Sequence, residues 1–222
     1  METEEIREKK EPKRLPVWAC ILLFALGLFV CMGLYGTIGF GLLSLILGDE
    51  ARHPGLLVYT VTEANMLLSV LTPAVILLYF ERRPFSDLGL TLKGHVRGLW
   101  YGLLVAMLLY LIGFGLSLAI GEVEVTGFQF DPLNLLGTFV FCLLVALTEE
   151  IMMRGYILGR LLHTRMNKFL ALFVSALLFA LLHIFNPNVA FLPMLNLVIA
   201  GMLIGASYLY TRNLCFPISL HQ

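Results

Sequence analysis

A chain of 222 residues that is 59% hydrophobic and only 14% charged lies well outside the soluble domains, which carry about 25% charged residues. Its mean hydropathy is +0.88, and the length fits one compact helical membrane domain. Lys plus Arg balance Asp plus Glu at 15 each, so no general affinity for nucleic acid is expected.

The apolar runs set the predicted elements. Residues 1–15 read as a charged tail with five acids and five bases, followed by an apolar stretch too long for a secretory signal. Spans are expected at about 17–47, 56–80, 96–120, 133–158, 169–185 and 190–210, each near the 20 residues a membrane helix needs. A seventh begins near Leu214 and meets the chain end at Gln222, as if cut inside its last helix. Pro54-Gly55, Pro84, Asp131-Pro132 and Asn186-Pro187-Asn188 mark turns. Pro73 falls inside the second span, where a kink is tolerated. The segment Pro84 to Leu90 reads as a loop on the cytoplasmic surface. The four cysteines (Cys20, Cys31, Cys142 and Cys215) lie in apolar runs without metal-type spacing, as small buried hydrophobes would.

The balanced charge hides a sorted distribution. Fourteen of the fifteen Lys and Arg fall in the tail, in 81–97, in 154–168 and at Arg212, which are alternate connections. The opposite set holds only Arg52 with Asp49, Glu50, Glu122, Glu124 and Asp131. By the positive-inside rule the N-terminus is cytoplasmic, and so is the end of the fourth span. The expected fold is an all-α polytopic bundle of seven to eight transmembrane helices.

One stretch resists that apolar frame: Thr148-Glu149-Glu150-Ile151-Met152-Met153-Arg154. A charge at mid-bilayer costs roughly 2.5–3.5 kcal/mol on insertion scales, so two acids and a base need partners, water or a function. Glu150 and Arg154, four apart, share a face and read as an ion pair at the cytoplasmic boundary. Glu149 points about 100° away, is left without a local partner, and is free to face the interior. His183 is the polar break in the fifth span, Asn196 is expected to hydrogen-bond between helices, and Gly201 and Gly205 form a close-packing face. Pro217 suits a first helical turn and sets His221 about one turn further on. His53, His95 and His163 lie in loops or at boundaries and receive no role. Two chemistries fit this inventory. A glutamate and a histidine can share a water while another histidine donates to an oxyanion. Alternatively, two histidines and a glutamate can hold zinc, although no His-Glu-x-x-His helix is present.

Taken in order, Glu149-Glu150-x-x-x-Arg154, Phe179-x-x-x-His183 and Pro217-x-x-x-His221 resemble the CPBP family of intramembrane endopeptidases. That family includes the CAAX prenyl proteases of the Rce type and the bacteriocin-immunity (Abi) proteins. Asn186-Pro187, Leu195-Asn196 with its downstream glycines, and Tyr210-Thr211 add to the match over about residues 133–222. The domain division this implies is a tail (1–15), three N-terminal membrane helices (16–131) and a catalytic membrane region (132–222). The resemblance implies an eight-helix-like bundle with a conical cavity open to the cytoplasm. It implies Glu149 as general base sharing a water with His183, His221 as oxyanion donor, and Glu150, Arg154 and Asn196 as organisers of the site. The family's third motif continues with Asn four residues after the histidine, which falls beyond Gln222. A glutamate-type mechanism without a cofactor is expected, with zinc disfavoured. The expected substrate is a membrane-associated polypeptide, prenylated or not, and the expected location is a bacterial plasma membrane. A proton-coupled carrier and a non-catalytic membrane scaffold are the competing readings. Against the carrier stands the absence of an inverted-repeat pattern.

Overall fold

The computed structural model describes residues 15–53, 55–187 and 189–222; the expected tail up to Arg14 and the turn residues Pro54 and Asn188 lie outside them. The described residues are helical or irregular, without a strand. The helices are α1 (Val17–Leu47), α2 (Leu56–Phe80), α3 (Val96–Ala119), α4 (Pro132–Glu150), α5 (Lys168–Leu182), α6 (Phe191–Thr211) and α7 (Cys215–His221). Beyond Glu150, α4 runs on as a π-helical segment, Ile151–Leu158, and closes with an α-turn, Gly159–Leu161. Among the described residues five helices are long and apolar enough to cross a membrane: α1, α2, α3, the extended α4 and α6. The fifth predicted span forms only the 15-residue α5, about 22 Å long at 1.5 Å per residue. The molecule is a polytopic helical bundle.

Its outer surface is the face expected in lipid. Leu26, Phe29, Val30, Leu45, Tyr110, Leu111 and Ile112 are more than half exposed, an arrangement water would penalise and acyl chains do not. Inside, α1 packs on α2, α2 on α4, α5 on α6, and α3 on α7. Phe24 of α1 stacks on Tyr156 at 4.3 Å between ring centroids. Gly27 leaves room for the in-helix Pro73 of α2, whose Cβ would lie 2.8 Å from an added methyl. Asp131 caps α4 by accepting from the backbone N–H groups of Leu133 and Asn134, with Pro132 at the first helical position.

The loop predicted to lie on the surface is instead part of the packing. It forms a short 3₁₀ turn, Phe85–Leu88, that drives Leu88 into the core at 1% exposure. Gly155 permits the approach: an added Cβ would stand 2.7 Å from the Leu88 carbonyl oxygen. Leu214 N–H donates to Gly89 O at 2.9 Å and Asn213 Nδ2 to Thr91 O at 2.7 Å, so the loop is laced to the approach to α7. Asn213 Oδ1 in turn accepts from Cys215 N at 2.8 Å.

Below the core, Arg160 and Glu81 form a buried ion pair, and the Arg160 guanidinium lies over the Tyr156 ring. Cys20 Sγ donates to Glu81 Oε1 at 2.7 Å, so this cysteine is a polar member of the network and not merely a small hydrophobe. His163 donates from Nδ1 to Gly159 O at 2.7 Å and accepts at Nε2 from Arg83 at 3.0 Å. A histidine without a predicted role therefore pins the end of α4 to the loop.

The contact between α3 and α7 depends on Gly102, where an added Cβ would meet Phe216 O at 2.6 Å and Leu220 N at 3.0 Å. Gly102→Ala is therefore expected to destabilise by about 1–3 kcal/mol through overpacking and to displace α7. Because α7 carries His221, any catalytic turnover should fall as well. Thermal unfolding in detergent together with a turnover assay checks both effects.

Candidate active site

Glu149 lies twelve residues before Leu161, the end of the extended helix that begins at Pro132. The acidic pair is therefore at mid-span and not at the charged end of α4. The Glu150–Arg154 ion pair exists, at 2.8 Å, but both side chains are buried at 0–1% exposure. This corrects the boundary placement. Arg154 is held from three sides: Glu150 Oε1 accepts from Nη1, Gly201 O accepts from Nη2 at 3.2 Å, and the guanidinium lies 4.7 Å over the Phe179 ring. Gly201 and Gly205 make this possible. Added methyls there would come within 3.1 Å of Ala176 and 2.6 Å of Leu172, so α5 and α6 meet closely and bring a backbone carbonyl to the arginine.

Glu150 also accepts from His221 Nδ1 at 2.7 Å, on the same Oε1 that takes Arg154. Its other oxygen, Oε2, has no hydrogen-bond partner among the described residues. The spacing of Glu150 and Arg154 signalled their pairing, but nothing in the sequence signalled the bond to a histidine 71 residues away. Glu150 thus orients His221 directly, as a carboxylate fixes an imidazole in other carboxylate–histidine pairs.

His183 ends α5 and donates from Nδ1 to Phe179 O at 2.9 Å. That bond turns Nε2 toward Glu149, whose Oε1 lies 3.6 Å away. On the opposite side, His221 Nε2 stands 3.5 Å from Glu149 Oε2. The Glu149 carboxylate is thus set between two imidazoles whose far nitrogens are already tied. Gaps of this size exceed direct hydrogen bonds and suit a bridging water or a reacting group. All three side chains keep about a fifth of their surface exposed, so the site can be reached. Phe179 contacts both rings, at 4.9 Å from His183 and 6.2 Å from His221.

Asn196 is not the interhelical hydrogen bonder it was expected to be. It is exposed in the early part of α6 and makes no side-chain hydrogen bond among the described residues. It lines a cavity of about 390 Å³ with His183, Asn186 and Met194, because its helical position faces the gap after α5 and not a neighbouring helix. Among the described residues no three His, Cys, Asp or Glu side chains are arranged to hold a metal ion.

The fold and site thus define a polytopic helical membrane protein with a carboxylate–histidine centre inside its bundle. Residues 131–222 match the family model described as Rce1-like, Type II CAAX prenyl endopeptidase Rce1-like. That region carries Glu149, Glu150, Arg154, His183 and His221, and in it the chain is similar to the CPBP/CAAX protease family. No curated protein and no solved structure matches the chain.

Proposed function

We propose that this protein is an intramembrane endopeptidase of the glutamate type that cleaves membrane-associated polypeptides. The observation that carries the reading is the Glu149 carboxylate, set 3.6 Å from His183 Nε2 and 3.5 Å from His221 Nε2. A water held between Glu149 and His183 gives its proton to the carboxylate and attacks the peptide carbonyl. His221 donates its Nδ1–H to Glu150, and its Nε2–H, present when the ring is cationic, meets the developing oxyanion. The anionic partner that supports that cation is itself held by Arg154. The intermediate collapses by breaking the C–N bond, and the proton on Glu149 passes to the leaving amine.

In this reading the reaction runs without a metal, in keeping with the lack of a His-Glu-x-x-His helix in the sequence. Prenylated chains belong among the candidate substrates, since the apolar exterior is open to lipid-borne groups. The proposed location is a bacterial plasma membrane. The test is a comparison of protein termini in membranes carrying wild type and Glu149→Ala, with and without a zinc chelator. New termini should arise only with wild type and persist with chelator. Termini independent of Glu149 would sink the protease reading, and their loss on chelation would sink the glutamate-type mechanism.

A further inference from the structure

A third intramembrane carboxylate lies beside this site. Glu63 projects from the middle of α2, next to the buried Thr148 hydroxyl and within the electrostatic reach of Glu149. Thr148 Oγ1 makes no close hydrogen bond among the described residues, so the contact with Glu63 is a loose one. Among the described residues no Lys or Arg pairs with Glu63. On its other side Glu63 lines a cavity of about 240 Å³ between α1 and α2. The walls are apolar, with Met32 and Phe40 of α1 among them, while Thr62, Asn65 and Ser69 of α2 join Glu63 as polar lining.

The hydrogen bonding of those polar groups is uneven. Thr62 Oγ1 donates to Val58 O at 2.8 Å, and Ser69 Oγ donates to Asn65 O at 2.7 Å. Both hydroxyl protons are therefore consumed, and each oxygen can only accept. The Asn65 amide brings an NH2 group as well as an oxygen, its nitrogen set nearest Gly39 of α1; the Glu63 carboxylate and the two hydroxyl oxygens are the acceptors left to meet a donor-rich group. An ammonium group has three donors and no acceptor, and a carboxylate at membrane depth calls for a cation. The apolar walls suit the methylene stem on which such a group is carried.

We infer that the cavity between α1 and α2 is a binding pocket for an ammonium group on an apolar stem, with Glu63 as counter-ion. Resting on the endopeptidase reading, the lysine side chain of a membrane-embedded substrate is the occupant that brings a peptide bond to the neighbouring Glu149.

The probe is n-hexylamine, with 1-hexanol as its uncharged control, titrated against the purified full chain in nanodiscs by thermal unfolding. A ligand of the folded state raises the unfolding temperature. Hexylamine should raise it in wild type and in Glu149→Gln, and hexanol should not. In Glu63→Gln the apparent affinity for the amine should weaken at least about tenfold, as loss of a charged hydrogen-bond partner implies. Should that variant fail to fold, Glu63→Asp should still bind, but several-fold more weakly. Equal shifts by amine and alcohol, or a wild-type amine response in either Glu63 variant, would overturn the proposal. So would a response lost in Glu149→Gln but kept in Glu63→Gln. Because the readout needs no catalysis, failure of the pocket and failure of the protease reading are separable.

Discussion

Glu149→Gln should reduce cleavage by about 10²–10⁴-fold, the range expected for removing a positioned general base, while the protein still folds and inserts. The substitution keeps the size of the side chain and one of its acceptor oxygens. Its contacts with His183 and His221, at 3.6 and 3.5 Å, are too long to be structural hydrogen bonds, so little stability is at stake. Glu150→Gln provides the contrast. It disturbs the bonds to Arg154 and His221 together and should lose both stability and turnover. Purified Glu149→Gln protein that cleaves at the wild-type rate would remove Glu149 from the chemistry.

The second large effect concerns stability. Arg154→Met leaves the Glu150 carboxylate buried without its cation, and breaking a buried pair from one side typically costs about 3–5 kcal/mol. Arg154→Lys should rescue only part of this, because a single ammonium does not reproduce the fork that spans Glu150 Oε1 and Gly201 O. Removing both charges, as Arg154→Met with Glu150→Leu, should recover much of the stability, since a well-packed apolar pair replaces a buried ionic one at little loss. Activity should not recover, because His221 then lacks the carboxylate that orients it. Unfolding and turnover of the four proteins in one detergent separate the two quantities. An Arg154→Met protein as stable as wild type would contradict this account.

Much of the architecture was legible in the amino-acid order because a membrane helix is a strong and simple signal. The spans and the glycine face of α6 follow from apolar runs and small-residue spacing. Depth was harder to read. Counting hydrophobic residues placed Glu150 and Arg154 at a boundary, because a charged pair looks like the end of a span. The helix in fact continues to Leu161 through a π-helical segment. The buried Arg160 shows the same effect: it counted as a loop charge until its partner Glu81, 79 residues earlier, was seen beside it. Local spacing cannot report such pairings. For Glu63 a signal did exist, since an acid among Thr60, Thr62 and Asn65 in an apolar span calls for a reason. The family motifs drew attention downstream of it.

Among the described residues α3 lies mainly against α7, and most of its remaining surface is apolar and exposed. α7 ends in His221. The lipid around α3 is therefore a mechanical neighbour of His221, the proposed oxyanion donor, one helix removed. Hydrophobic mismatch is worth fractions of a kcal/mol per Å and is relieved by helix tilt; a tilt of α3 would carry α7 with it. Bilayer thickness then sets the aim of an imidazole, and lipid composition becomes a control on turnover that acts without entering the site.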